Sequence, residues 1–278
     1  MKGCNLRWVW LLLVPGLLIS CSRQDRIVLS NIVVNAPRQL DDDVEDKEAI
    51  RTRIEQLVGG TPGIVVDAKA PSPTHFMQVW IGDVFSQGAG SGEEFRRVEV
   101  VLRAHEKGHQ YRVEGRGRTP ERLGDSVVDG FEDAWRLITL QRQATAVGGG
   151  AYINMLSSSD WRLREFALDR IAMSSFLAAV PALCDALSTE RLAVLQLRII
   201  GVLTELGDRR AVRPLIALTR NQRAGLVLHV LHALGSIGGR EAEAFLVTVA
   251  SGHSIEGVRG VATQIIGDMQ AATEAKLR

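Results

Sequence analysis

The sequence predicts a small α+β domain, a short sheet with two helices, followed by an all-α region of repeated helix pairs. Three observations predict it. Strand-like and helix-like patterns alternate from Ile27 to Gln143, and helix-like patterns alone follow from residue 151. Gly148-Gly149-Gly150 separates the two textures and reads as a flexible joint, within a linker of residues 144–154. Over residues 155–278 the chain then matches itself at offsets of 31 and 32 residues.

The chain has 278 residues, 46% apolar and 23% charged, with a formal net charge of +1. At roughly 100–200 residues per domain this allows one to three domains. The composition is that of a globular chain and excludes collagen-like, coiled-coil and multi-pass membrane classes. A net charge near zero gives no global field toward nucleic acid, so nucleic acid is not an expected partner.

The first residues read as an address. Lys2 and Arg7 form a positive start, and Leu6 to Leu18 is largely apolar, interrupted by Pro15-Gly16. A membrane span needs roughly 20 apolar residues, so this stretch suits the core of a signal peptide instead. Leu18-Ile19-Ser20-Cys21 follows. It resembles the lipobox of bacterial lipoproteins: an aliphatic residue, a tolerated second position, a small residue and a cysteine. The resemblance implies a signal peptide over 1–20, a diacylglyceryl group on the Cys21 thiol and a lipidated tether over 21–26. Ser22 rather than Asp comes next. By similarity to proteobacterial lipoproteins this implies an outer-membrane anchor facing the periplasm; in an organism with one membrane the anchor would sit in its outer leaflet. The alternative is an ordinary signal peptide in which Cys21 is incidental. The three cysteines are Cys4, Cys21 and Cys184. With Cys4 removed and Cys21 acylated, Cys184 has no disulfide partner, and its apolar helical surroundings (180–187) read as those of a buried, inert thiol.

Ile27-Val28-Leu29 and Ile32-Val33-Val34 read as a strand. The acids from Asp41 to Glu48 then suit the positive end of a helix whose apolar face is Ile50, Ile54, Leu57 and Val58 and which Gly59-Gly60 ends. Ile64-Val65-Val66 is a short strand. In His75–Phe85, Met77, Val79 and Ile81 alternate with Gln78, Trp80 and Gly82. Gln87 to Gly92 is a glycine-rich turn, and Phe95–Leu102 with Tyr111–Val113 forms a hairpin. A last helix over 123–141 carries Val127, Phe131, Trp135 and Ile138 as its buried stripe. The order β-α-β-β-β-β-α and a Gly-Arg-Gly-Arg segment (115–118) resemble the amino-terminal domain of the periplasmic Tol–Pal propeller protein and outer-membrane lipoproteins that regulate peptidoglycan synthases. That resemblance covers residues 27–143 and implies protein binding rather than catalysis.

The repeats have independent anchors. Leu203 to Ala211 matches Leu234 to Ala242 at 31, Leu234 to Ile237 matches Ile266 to Met269 at 32, and Ala179 to Leu183 matches Ala211 to Leu215 at 32. Leu163-Arg164, Leu195-Gln196, Leu226-Val227 and Val258-Arg259 fall in the same register. With the Leu-Gly-Asp turn at 206–208, these residues resemble HEAT repeats of the short variety named after phycobilisome lyases. The resemblance implies an α-solenoid of about four units whose curved surface binds proteins or peptides; it does not carry lyase activity. Gln196 and Val227 depart from the usual Arg, and Gly239 from the Asp. The fourth unit shows its first helix followed by a polar tail from Gln270 that caps the stack.

Two clusters could carry chemistry. Arg209, Arg210, Arg213, Arg220 and Arg223 surround one repeat helix, and form either a basic groove for an acidic partner or pairs with Asp185, Glu190, Glu241 and Glu243. His105-Glu106-Lys107-Gly108-His109 matches H-E-x-x-H, which on a helix points both imidazoles at one Zn²⁺ with the Glu as general base. Its flanks alternate like strands and Gly108 favours a turn, so the five residues read as a hairpin connection. The opposing reading takes Ser91-x-x-Glu94 as a helix cap and Glu132 as a third ligand. His75, His229, His232 and His253 show no ligand spacing. No P-loop, dinucleotide fingerprint or serine elbow occurs, and no cofactor is expected. The sequence thus points to a non-enzymatic scaffold or adaptor of the cell envelope that binds protein partners and meets the membrane through lipid on Cys21. The competing reading is a zinc metallopeptidase.

Overall fold

The computed structural model describes residues 27–35, 44–86, 94–105, 110–118, 122–220 and 224–277. The expected signal peptide, Cys21 and the tether lie outside them, as do the acids at 41–43 and the turn at 87–92. Among the described residues no helix is long and apolar enough to cross a membrane.

β1 (Ile27–Asn35) points Ile27, Leu29, Ile32 and Val34 into the core, with a register shift between Leu29 and Ile32 that keeps both halves facing inward. α1 (Val44–Gly59) buries Ile50, Ile54 and Val58 and leads to β2 (Ile64–Val66), which pairs parallel to β1. β3 (His75–Ser86) joins the other side of β1, also parallel. β4 (Glu94–Ala104) and β5 (Gln110–Arg118) then continue antiparallel, giving the order β2-β1-β3-β4-β5. This is a mixed five-stranded sheet with the expected sequence of elements.

α2 (Leu123–Val147) closes one face of this sheet. Its stripe of Val127, Phe131, Trp135 and Ile138 is buried, and Phe131 and Trp135 stack with ring centres 5.9 Å apart. α1 lies beside it on the same face, tied by Arg53–Asp125 at 2.8 Å, and the turn after α1 is tied by the Trp135 indole N–H donating to Thr61 Oγ1 at 2.8 Å. The opposite face carries Trp80 and Val33, 45% and 37% exposed.

The expected linker is largely helical. α2 continues to Val147, past the predicted end at Gln141, and α3 (Gly149–Met155) follows directly. Between them Gly148 has φ +87°, a left-handed conformation that a side chain resists. A Cβ on Gly149 would stand 2.4 Å from the Phe176 ring. The glycines therefore serve a tight turn and a close contact here, not the loose joint that their composition suggests.

A helical region completes the chain: α4 (Trp161–Met173), α5 (Val180–Thr189), α6 (Ala193–Leu206), α7 (Val212–Leu218), α8 (Ala224–Ile237), α9 (Arg240–Gly252) and α10 (Glu256–Leu277). α4, α6, α8 and α10 pack in succession, and so do α5, α7 and α9. The expected tail from Gln270 continues α10 and stays helical through Leu277.

The turn after α4 shows why one residue is out of step with its sequence. Ser175 donates its N–H to Ala172 O at 3.0 Å, and Phe176 donates to Ile171 O at 3.1 Å, the paired bonds of a Schellman helix end. That motif needs a left-handed residue, and Ser175 supplies it at φ +46°, where Gly207 (+64°) and Gly238 (+68°) occupy the matching turns. Left-handed backbone costs a non-glycine residue about 1–2 kcal/mol. Ser175→Gly is expected to raise stability by about 0.5–1 kcal/mol in urea unfolding, after the extra freedom of glycine in the unfolded chain is deducted. An unchanged or lower midpoint would contradict this.

Candidate functional site

A densely bonded polar group lies where the two regions meet. Arg162 lies in the first turn of α4, two residues after Asp160, whose carboxylate accepts the Arg162 backbone N–H at 3.0 Å as a helix N-cap. The guanidinium then bridges three elements. Nε and Nη2 donate to Asp160 at 3.0 and 2.8 Å, Nη1 and Nη2 donate to Asp133 of α2 at 2.7 and 3.2 Å, and Nη1 also donates to the Glu114 carbonyl of β5 at 2.6 Å. Asp133 in turn accepts the Arg116 backbone N–H at 3.2 Å, and Arg136 reaches both carboxylates at 3.3 Å. Burial disfavours the Arg162 charge, but the bonds from Asp160 and Asp133 outweigh it and raise its pKa. Burial likewise opposes the Asp160 charge, and Arg162 and Arg136 overcome it, so its pKa is lowered. Tyr111, Phe166 and Tyr152 form an apolar seam alongside, with ring centres 6.5 and 6.2 Å apart in successive pairs. Sequence reasoning missed this hub. The signal was present as an Asp before an apolar helical run, but its partners come from β5 and α2, far away in the chain.

A second buried pair joins α4 to the end of α5. Arg164 Nε and Nη2 donate to Glu190 at 2.8 and 3.1 Å, and Glu190 Oε1 also accepts the Arg191 and Leu192 N–H groups at 2.9 Å each. The Glu190 side chain is 5% exposed. Burial opposes its charge, while Arg164 and the two N–H groups prevail and lower its pKa. Stabilisation from such a group is fully present above the unfolded-state pKa, about 4.3 for glutamate, and is lost as the pH falls through the lower folded value. The melting temperature of the wild type is therefore expected to drop more steeply, as the pH falls below about 4.3, than that of Glu190→Gln. Parallel pH profiles would contradict this.

The predicted arginines are dispersed among local partners. Arg210 is held by Asp208 at 2.6–3.1 Å and donates to the Leu177 carbonyl at 3.1 Å; Asp208 lies two residues away and was not among the expected partners. Arg213 pairs with Glu241 at 2.9 Å, as one reading expected, and is 83% exposed. Arg209 lies against Gly239, and Arg220 is exposed. Arg223 lies outside the described residues. Glu190 is taken by Arg164, not by this cluster.

The H-E-x-x-H segment falls between β4 and β5. These strands pair antiparallel as far as Arg103 and Gln110. His105 is an exposed bend residue whose N–H donates to Thr74 O at 2.9 Å, with its ring 6.1 Å from Phe76. Glu106 and His109 lie outside the described residues. Glu132 is exposed on α2, on a stretch where Gly130 and Ala134 both meet Gly115. That level is five residues along β5 from Gln110, or about 16 Å at ~3.3 Å per residue. Cys184 is half-buried on α5; burial, with Asp185 adding, pushes its thiol pKa up, which opposes a nucleophilic role. No protein-family model matches this chain, and no curated protein does.

Proposed function

We propose that the protein is a non-enzymatic scaffold or adaptor of the cell envelope. In this reading lipid on Cys21 holds it to the outer membrane, facing the periplasm, and residues 155–278 form a HEAT-like solenoid that binds protein partners. The observation that carries the repeat reading is the return of the same structural devices at the sequence offsets. Left-handed turns recur at 175, 207 and 238. Ala179, Ala211 and Ala242 are all wholly buried, and so are Leu183, Leu215 and Leu246. Arg164 donates to the carbonyls six and five residues before it, at 2.8 and 3.3 Å, and Arg259 does the same at 2.7 and 3.3 Å. Each unit leaves an apolar face that only its neighbour can bury, so stacking produces a rigid, extended surface suited to a partner. The metallopeptidase reading needs both histidines on one helix; the antiparallel pairing of β4 and β5 as far as Arg103 and Gln110 favours the hairpin reading instead.

Crosslinking in cells, followed by purification and mass spectrometry, tests this. A partner crosslinked to the wild-type chain is expected to be lost when Arg209, Arg213 and Arg220 are all replaced by Glu. Retention of every partner would remove that face of the repeats from the reading. The anchor is tested separately: Cys21→Ser is expected to move the protein from the membrane to the soluble fraction.

A further inference from the structure

The sheet keeps one edge open beside α4. β5 is the terminal strand, and a terminal strand presents every second N–H and C=O outward. Two outward groups are already engaged, the Glu114 carbonyl by Arg162 and the Arg116 N–H by Asp133. The same alternation places the N–H and C=O of Arg112 and Gln110 on that outer edge. No strand pairs with it among the described residues.

A groove of about 540 Å³ runs between this edge and α4. Gln110 and Arg112 line the strand side, and Trp161, Glu165, Asp169 and Met173, spaced four apart and so on one helix face, line the other. Trp161 and Met173 are 37% and 76% exposed. Arg112 is held by Glu99 at 3.1 Å and Asp169 by Arg198 at 2.8 Å. Glu165 makes no ion pair among the described residues, and partial burial, with the Asp169 charge adding, pushes its pKa up against the pull of Arg198. The groove, which Arg162 and Arg170 also line, therefore offers an extended backbone its hydrogen bonds, two apolar contacts and a carboxylate outside any ion pair. The twelve rises of α4 from Trp161 to Met173 span about 18 Å, the length of five or six extended residues.

We propose that this groove binds an extended segment of a partner protein by strand addition to β5, with a Lys or Arg of the segment facing Glu165 and Asp169 and apolar side chains covering Trp161 and Met173. The proposal deepens the interaction reading by giving the chemistry of a partner. It uses the joint and not the face around Arg213, so either can fail without the other.

The test is selection of random dodecapeptides on phage against the full chain purified in detergent, followed by binding of the best synthetic peptide. The enriched peptides are expected to carry a basic residue flanked by apolar ones at alternate positions. Binding is expected to protect the Arg112 amide from hydrogen exchange and to weaken at least tenfold, a threshold of about 1.4 kcal/mol, in both Arg112→Pro and Glu165→Lys. Proline at 112 removes an outward donor and leaves the ladder to β4 intact. Should that variant fail to fold, the exposed Glu165→Lys carries the test. Failure to enrich any peptide, or equal binding to the folded variants, would overturn the proposal. So would concentration-dependent dimerisation that protects the Arg112 amide without peptide, since a second copy would then be the occupant.

Discussion

Gly115→Ala is expected to destabilise the protein by about 3 kcal/mol or more, at or beyond the top of the usual range for overpacking. A Cβ at this position would stand 1.8 Å from the Gly130 carbonyl oxygen and 2.8 Å from the Ala134 nitrogen. At Gly117 it would meet the Ser126 carbonyl oxygen at 1.7 Å. These are backbone atoms of α2, so no rotamer change relieves the collision. The helix would have to lift from β5, taking Phe131, Ala134 and Ile138, all wholly buried, away from the sheet. The identical chemical change at Gly267 has the opposite expected sign. That glycine lies within α10 with no atom close enough to obstruct a Cβ, and replacing an exposed helical glycine by alanine is worth about 0.5–1 kcal/mol of stability. Urea unfolding of the two variants side by side is the measurement. A cost below about 1 kcal/mol for Gly115→Ala, less than overpacking normally exacts, would mean that α2 does not sit this close to the strand.

The same glycines show where the sequence was readable. Residues 27–143 announced their elements because each buries one face, and period-two and period-3.6 spacing record that burial directly. Met77, Val79 and Ile81 on β3 and the α2 stripe all point inward as their spacing requires. The Gly-Arg-Gly-Arg run served only as a mark of resemblance. Its physical reason, room for a helix backbone on alternate strand positions, becomes visible once Gly130 is known to lie opposite. Gly148-Gly149-Gly150 misled for a related cause. Composition alone cannot separate a glycine that frees the chain from one that admits a neighbour, and Phe176 is the neighbour at Gly149. The arginines were harder still, because partner choice is a tertiary property. Arg213 found Glu241 in the next helix pair, but Arg210 turned to Asp208 beside it and Glu190 to Arg164.

Arg162→Met is expected to cost about 2–3 kcal/mol at pH 7, somewhat below the usual cost of breaking a fully buried ion pair because the site is partly wet. Methionine keeps much of the side-chain volume, so the loss is electrostatic. Arg162, Asp160 and Asp133 have side chains 13%, 17% and 24% exposed. Without the guanidinium the two carboxylates are left with Arg136, which reaches each at 3.3 Å and is itself 54% exposed. The Glu114 carbonyl loses its donor as well. Arg162→Lys is expected to recover little, since one ammonium cannot span two carboxylates and a carbonyl in the fixed fork that the guanidinium supplies. The pH dependence separates this cause from a packing defect. In the wild type the lowered Asp160 pKa gives stability that is present at neutral pH and lost as the pH falls below the ordinary aspartate value of about 3.9. In the variant the carboxylates repel each other, and protonating one relieves the strain. The gap in unfolding free energy between the two proteins should therefore narrow as the pH falls below about 4, with about 1 kcal/mol as a practical threshold for detection. In a double-mutant cycle, Asp133→Asn should cost less in the Arg162→Met background than in the wild type. A gap independent of pH, together with additive costs, would show that Arg162 holds the joint by packing and not by charge. The seam of Tyr111, Phe166 and Tyr152 would then be the contact that fixes α4 against the sheet.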